Sequence, residues 1–190
     1  MKLLFKSALF PLRFTILLWI IKIIEWVFHI SFATFGILPR NISGLKGIFF
    51  APLIHLDFLH LISNTIPILL LGTTLFTFYP KWASTVFVTC HLLGGFLVWL
   101  FGREFYHIGA SGVLYGIAAF LISIGLFKKD FTSLLISVII VLFYGGLIWG
   151  ILPIQPGVSF ESHLFGALVG VACAAYFGSK RNIINDRVPL

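Results

Sequence analysis

The sequence predicts an all-α membrane protein, a compact bundle of six transmembrane helices that uses residues 1–190 as a single domain. Hydrophobic residues make up 59% of the chain and charged residues only 10%, and the mean hydropathy is +1.09. Soluble globular chains carry roughly a quarter charged residues, so this chain has too little polar surface for water. Its apolar residues also form six runs long enough to span a bilayer, which takes a helix of about 20 residues.

The six predicted spans are bounded by proline, glycine or charged residues. In chain order they are Leu12–Phe35, Phe58–Phe78, Trp82–Phe101, Gly109–Phe127, Ser133–Leu152 and Glu161–Phe177. The first run begins too deep, and is too long, for a cleaved signal peptide, and no small-residue cleavage site follows it. We therefore expect it to remain in the membrane as the first span.

The basic residues predict the orientation of the bundle. With the N-terminus inside, nine fall in cytoplasmic segments: Lys2, Lys6, Arg13, Lys81, Lys128, Lys129, Lys180, Arg181 and Arg187. Only Arg40, Lys46 and Arg103 fall in outer loops. Lys and Arg are enriched on the cytoplasmic side of membrane proteins, so we expect both termini there. The net charge of +7 is therefore explained by the orientation of the protein in the membrane, and it does not indicate a nucleic-acid-binding surface.

Four polar residues share one predicted depth of the membrane. His60, Asn64, Ser111 and His163 lie near the outer ends of three predicted spans, and His55 lies just before the first of these spans. His60 and Asn64 are four residues apart, so they project from the same helical face. Polar residues inside spans are energetically costly and mark functional candidates. Their shared depth predicts a site that opens to the outer side.

Glycines predict which spans pack closely. Small faces occur on spans four and six, formed by Gly109, Gly112 and Gly116 and by Gly166 and Gly170. Such faces let helix backbones approach each other. His163 lies three residues before Gly166, so close packing of these spans would bring His163 toward Ser111. Other reactive or charged residues in the spans are interpreted as structural: the Lys22 and Glu25 pair, and Cys90 and Cys173 as small hydrophobic side chains.

A serine and a histidine in this position indicate acyl-transfer chemistry. A serine hydroxyl becomes a nucleophile when a base accepts its proton, and His163 can be that base for Ser111. Acyl transfer also needs hydrogen-bond donors for the developing oxyanion. The available donors are the Ser111 backbone N–H, the His60 ring and the Asn64 amide. No acid stands in an obvious third position, since Glu161 and Asp57 lie at helix ends, so we expect a dyad.

These residues form three motifs whose order resembles that of the rhomboid family of intramembrane serine proteases. The motifs are His55-x4-His60-x3-Asn64, then Gly109-Ala110-Ser111-Gly112 with Tyr115, and then His163-x2-Gly166-x3-Gly170. The resemblance covers roughly Leu38 to Gly178. It implies a serine endopeptidase that cleaves transmembrane segments of membrane proteins near the outer face.

The resemblance also implies individual roles. Ser111 would be the nucleophile, His163 the general base and acid, and His60 and Asn64 the oxyanion hole. Tyr115 would lie against the imidazole, with His55, Gly109, Gly112, Gly166 and Gly170 in supporting positions. The segment Pro153–Ser162 would cap a water-filled cavity, and Ser133–Leu152 would be a lateral gate.

The six-span form implies a bacterial cytoplasmic (inner) membrane, with transmembrane protein substrates and the lipid bilayer as partners. No nucleic acid, metal or cofactor is implied. Two other classes of protein fit the sequence less well. A catalytically silent, membrane-protein-binding pseudoprotease is disfavoured because Ser111 and His163 are both present. A transporter or a haem protein that uses His60, His91 and His163 is disfavoured because internal repeats and paired histidines at ligand spacing are missing.

Overall fold

The structure, a computed structural model that describes residues 2–154 and 157–185, is an all-α bundle and confirms the predicted fold class. Within these ranges, six helical segments are long and apolar enough to cross a membrane. The helices are α1 (Lys2–Phe28), α2 (Gly47–Phe50), α3 (Phe58–Phe78), α4 (Pro80–Phe101), α5 (Ser111–Lys128), α6 (Phe131–Tyr144) and α7 (Phe160–Asn185). All except the short α2 are spans, and a 3-10 helix, Gly145–Ile151, extends α6.

The predicted first span, Leu12–Phe35, is wrong at both ends. Helix α1 continues through Pro11, because the proline ring is buried and a methyl group on Gly72 of α3 would lie 2.8 Å from it. Proline is tolerated in transmembrane helices, where neighbouring groups compensate for its missing N–H. Helix α1 ends at Phe28, and the next residue, His29, has a left-handed φ of 51°. Residues Ala33–Phe35 form a separate 3-10 turn.

Helix α5 lies at the centre of the bundle. In its span 56% of the residues are buried, against 17–39% in the other five spans. Its closest neighbour is α7: a Cβ added to Gly166 would lie 2.0 Å from Gly112 O, and one added to Gly170 would lie 2.0 Å from Gly116 O. A side chain at Gly166 or Gly170 would therefore push the two helices apart.

The first loop folds over the end of the bundle where α3, α5 and α7 begin. Ile37 and His107 exchange backbone hydrogen bonds of 2.9 Å, which joins this loop to the α4–α5 loop. His91 on α4 lies 3.1 Å from the Phe49 carbonyl through its Nε2 atom. Gly109 N–H donates to Ala51 O at 2.9 Å. The loop thereby fixes the backbone that leads into α5.

Most of the basic residues assigned to the cytoplasm that the structure describes lie at the opposite end of the bundle, but Arg13 lies inside the first span, Leu4–Phe28. Helix α1 begins at Lys2, α4 begins one residue before Lys81, and α5 ends at Lys128. Arg187 lies outside the described residues. The orientation of the bundle in a membrane stays a prediction from this distribution of charge.

A buried ion pair holds α1 against the chain that enters α3. Lys22 Nζ lies 3.2 Å from Glu25 Oε2 and donates to His55 O at 3.0 Å and to Leu56 O at 2.9 Å. The other Glu25 oxygen accepts from the Phe32 N–H at 2.7 Å. Both side chains are mostly buried, with exposed fractions of 12% and 5%. The pair therefore joins three separate segments of the chain.

We expect Lys22→Met to destabilise the fold, because it leaves the Glu25 carboxylate buried without its counter-charge. Breaking a buried ion pair on one side costs about 3–5 kcal/mol. Thermal unfolding in detergent should show a lower Tm for Lys22→Met and a largely restored Tm for Lys22→Met/Glu25→Gln. Lys81→Met, at an exposed position, is the control and should unfold like wild type. An unchanged Tm in Lys22→Met would contradict this role of the pair.

Candidate active site

The side chains of Ser111 and His163 meet at one end of the bundle. Ser111 begins α5, and His163 lies in the first turn of α7. The His163 Nε2 atom lies 2.8 Å from the Ser111 Oγ atom. Tyr115, one turn after Ser111, stacks on the imidazole with ring centroids 4.0 Å apart and planes 2° apart. The close packing of α5 on α7 sets this geometry, since it brings the two helix starts together.

The third group at the histidine is a backbone carbonyl. His163 Nδ1 lies 2.8 Å from Gly150 O, in the 3-10 helix after α6. A carbonyl only accepts hydrogen bonds, so Nδ1 carries the proton and Nε2 is left to accept from the Ser111 hydroxyl. Sequence reasoning missed this carbonyl, because every residue carries one. The one signal was the glycine itself, since a Cβ there would lie 1.9 Å from Tyr115 Oη.

The two predicted oxyanion residues face the same cavity as the serine. Asn64 is 4% exposed, and its Nδ2 atom has no hydrogen-bond partner among the described residues. His60 lines this cavity together with Asn64, Ser111 and His163. The Ser111 N–H is at the first position of α5, where N–H groups have no partner within the helix. Three hydrogen-bond donors are therefore available beside the hydroxyl.

Gly109 and His55 support this side of the site. Gly109 has a φ of +106°, which favours glycine, and a Cβ there would lie 2.7 Å from the His60 ring. His55 is buried, and its Nε2 accepts from the Ala110 N–H at 3.4 Å. Burial, followed by the neighbouring His60, lowers the pKa of His55 to about 3, so the ring stays neutral and accepts. Both residues hold the backbone immediately before Ser111.

The shared cavity has a volume of about 760 Å³. Ligand pockets in proteins are typically about 300–1,000 Å³, so there is room for a short stretch of polypeptide. Its walls come from α3, the α4–α5 loop, the 3-10 helix Gly145–Ile151 and the residues that precede α7. Part of the predicted cap Pro153–Ser162 lies along it, although residues 155 and 156 are outside the described residues.

A polar clamp that the sequence did not reveal fixes the start of α7. The Arg103 guanidinium in the α4–α5 loop pairs with Glu161, with Nη2 3.1 Å from Oε2. His107 is 1% exposed, and its ring lies 2.6 Å from Ser159 Oγ and 3.0 Å from Arg103 O. Glu161 is therefore an ion-pair partner and not simply a helix cap. The clamp lies within one turn of His163 and fixes its helix against the loop that leads to Ser111.

Neither the acidic residue Asp57 nor a metal site forms part of the dyad in the described residues. Asp57 caps α3 by accepting from the His60 N–H at 2.7 Å. Within the described ranges, no group of three or more His, Cys, Asp or Glu side chains is arranged to hold a metal ion. Among the described residues, the His163 ring stacks on Tyr115 and has the Gly150 carbonyl and the Ser111 hydroxyl at its two nitrogens.

Comparison with known proteins decides the family. Residues 43–180 match the family described as Rhomboid domain. The chain belongs to the rhomboid family. The uncharacterized protein Rv1337 of Mycobacterium tuberculosis is 36% identical over 175 residues, which cover 86% of this chain and 72% of that protein. The uncharacterized protein Mb1372 of Mycobacterium bovis has the same identity and coverage. ML1171 of Mycobacterium leprae, also uncharacterized, is 34% identical over 172 residues, 86% of this chain and 68% of that protein.

The rhomboid domain match contains the whole candidate site. It begins before His55 and ends after Gly170, so it includes the three motifs and the Gly150 carbonyl. It starts after α1 and ends within α7, so Lys22 and Glu25 lie outside it and only their carbonyl partners, His55 and Leu56, lie inside. This rhomboid-family chain is thus a membrane protein whose family match covers the residues around Ser111 and His163.

Proposed function

We propose that this rhomboid-family protein is an intramembrane serine endopeptidase that cleaves transmembrane segments of membrane proteins. The observation that carries the proposal is the 2.8 Å contact between Ser111 Oγ and His163 Nε2. It occurs inside a cavity of about 760 Å³ that Asn64 also lines, and the Asn64 Nδ2 atom has no hydrogen-bond partner among the described residues. A nucleophile, its base and a donor for the oxyanion are the groups that peptide hydrolysis by serine requires.

The first half of the reaction forms an acyl-enzyme. Ser111 Oγ attacks the scissile carbonyl carbon while His163 Nε2 takes the hydroxyl proton. The carbonyl oxygen becomes an oxyanion, to which the Asn64 amide, the His60 ring and the Ser111 N–H donate. The intermediate collapses, the C–N bond breaks, and the leaving amine receives the proton from His163. The C-terminal part of the substrate then departs with a free amine.

The second half of the reaction hydrolyses the acyl-enzyme. Water attacks the ester carbon and gives one proton to His163 Nε2, and the same donors stabilise the second oxyanion. The C–Oγ bond breaks, and Ser111 recovers its proton from the imidazole. Tyr115 keeps the ring in plane through both halves, and the proton on Nδ1 never leaves. The products are a carboxylate and an amine, and the dyad returns to its starting state.

The charge distribution supports a location for this reaction. With both termini in the cytoplasm, Ser111 and His163 would open to the outer side of a bacterial cytoplasmic membrane. The mycobacterial relatives support a bacterial setting. Substrates would be membrane proteins whose transmembrane segment enters from the bilayer, and the catalytic chemistry needs no cofactor or metal.

Quantitative membrane proteomics of cells with wild type or Ser111→Ala tests this function and finds substrates. We expect single-span membrane proteins to accumulate uncut in Ser111→Ala, with loss of the new amino termini that cleavage creates. His29→Asn, which removes an exposed histidine that does not line the cavity, is the control and should match wild type. Identical termini in wild type and Ser111→Ala would favour the alternative, a catalytically silent rhomboid-like protein that binds membrane proteins.

A further inference from the structure

A proline lies inside α3, the helix that carries His60 and Asn64. This residue, Pro67, is within the helix and not at one of its ends. In an unbroken α-helix the N–H of residue 67 would donate to the carbonyl of residue 63, four positions earlier. Proline has no N–H, so this bond is missing in α3. The Ser63 carbonyl is therefore left without its usual helical donor.

The polar groups nearest to this carbonyl in the chain do not replace the missing donor. In transmembrane helices a carbonyl freed by proline is satisfied by a neighbouring helix, by a serine or threonine side chain, or by water. The Ser63 hydroxyl donates instead to His60 O at 2.8 Å. The Thr65 hydroxyl donates to Leu61 O at 2.9 Å. Among the described residues, no backbone N–H outside α3 donates to Ser63 O. The carbonyl is thus available to a group that enters from outside the chain.

The Ser63 carbonyl faces the cavity of the candidate active site. Ser63, Asn64 and Pro67 all line this cavity. A helical carbonyl points along the axis toward the residue four positions later, so the gap between residues 63 and 67 opens onto the cavity wall. Pro67 follows Asn64 by three residues, which places it on the same face and about one turn farther from the start of α3. The cavity therefore offers a hydrogen-bond acceptor one turn below the Asn64 donor.

An extended substrate strand would present one N–H to this acceptor. Backbone groups of a strand point to alternate sides, so the N–H of the second residue after the scissile bond lies on the same side as the scissile oxygen. These two groups are about 5 Å apart along the strand, close to the helical pitch of about 5.4 Å. In a substrate with its amino terminus outside, the chain after the scissile bond runs into the membrane. The strand and α3 therefore match in both direction and spacing.

We propose that Ser63 O, freed by Pro67, is a substrate-binding group that accepts from the N–H of the second residue after the scissile bond. The bond holds the strand in register while the Asn64 amide, one turn above, donates to the scissile oxygen. The contact recognises the backbone of the substrate at this position and not its side chain. This inference rests on the proposed function and adds one specific contact with the substrate.

A synthetic transmembrane substrate with one amide replaced by an ester lacks a single N–H and keeps all its side chains. With the ester at the second residue after the scissile bond, kcat/KM in liposomes should fall about 3- to 10-fold, the effect of one hydrogen bond of ordinary net strength. An ester at the third residue, whose N–H points to the other side of the strand, should have little effect. Mass spectrometry of the products identifies the bond that is cut.

Pro67→Ala tests where the acceptor comes from. Alanine restores the N–H that bonds Ser63 O within α3, so kcat/KM for the amide substrate should fall by the same factor, and the ester should cost nothing further. Tm should not fall, since proline inside a helix is unfavourable. Pro11→Ala makes the same change in α1, outside this cavity, and should keep the full ester effect. An equal ester effect in wild type and Pro67→Ala, or none in wild type, would overturn the proposal.

Carbon-13 NMR of the Ser63 carbonyl separates this contact from catalysis. Ser63-Asn64 is the only Ser-Asn pair in the sequence, so carbon-13 in serine carbonyls and nitrogen-15 in asparagine together single out this carbonyl. In Ser111→Ala, which leaves the substrate uncut, the amide substrate should shift the signal toward that of a hydrogen-bonded carbonyl, and the ester substrate should not. A signal that neither substrate moves would contradict the contact. If wild type shows no Ser111-dependent turnover, the proposed function fails, and the shift still decides whether Ser63 O binds the peptide.

Discussion

Ser111→Ala and His163→Ala are each expected to lower kcat to below detection in liposomes that contain a single-span reporter. Removing the serine or histidine of a soluble serine protease costs on the order of 10⁶ in kcat, and removing both costs about as much as removing one. The same is expected here, because Ser111 Oγ and His163 Nε2 lie 2.8 Å apart and the transfer of the hydroxyl proton needs both groups. The measurement is kcat for both single variants and for the double variant.

His29→Asn controls for the loss of a histidine as such, since its side chain is exposed and does not line the cavity that holds the dyad. All variants should keep the wild-type Tm within a few degrees, because the Ser111–His163 bond is a small part of the α5–α7 contact. Residual turnover in Ser111→Ala would show that another group is the nucleophile. Effects that multiply in the double variant would show that the two residues act independently.

Asn64→Ala is expected to lower kcat by about 10²–10³-fold, the cost of removing one oxyanion donor in a soluble serine protease. The Asn64 side chain is buried, and its Nδ2 atom has no partner among the described residues. A buried donor without a partner costs stability, so removing it should not lower Tm much. The expected signature is therefore a kinetic defect at normal stability, measured as kcat and Tm on the same preparations.

Thr74→Ala is the matched control for Asn64→Ala. Thr74 lies on the same helix, about three turns nearer the opposite end, and among the described residues its hydroxyl bonds to Leu70 O within α3. We expect wild-type kcat in Thr74→Ala. Full activity in Asn64→Ala would remove Asn64 from the oxyanion hole and leave the His60 ring and the Ser111 N–H as its donors.

The spans could be predicted because hydrocarbon requires long apolar runs, and α3 begins and ends at the predicted residues Phe58 and Phe78. The first span could not be delimited in the same way. Proline usually interrupts helices, so the sequence predicts that this span begins after Pro11. In the structure the Pro11 ring packs on Gly72, a contact between residues far apart in the chain. The residues next to Pro11 in the sequence therefore do not reveal that the helix continues through it.

Some residues of the candidate site could be predicted from the sequence, and others could not. Ser111, His163, His60 and Asn64 could be found from the sequence because polar side chains at membrane depth are costly and therefore few. The Gly150 carbonyl could not, since a backbone group has no sequence signature. The Arg103–Glu161 pair was also missed, because charges at the ends of spans are inexpensive and unremarkable in a sequence. Both contacts depend on how α6 and the α4–α5 loop meet α7.

The most direct measurement of the central claim is the mapping of a fluorophosphonate adduct by mass spectrometry on detergent-solubilised protein. The account predicts one modified peptide, with the adduct on the Ser111 hydroxyl, no adduct in Ser111→Ala and strongly reduced labelling in His163→Ala. An adduct on another residue, or an unlabelled protein whose cleavage activity survives in Ser111→Ala, would contradict it.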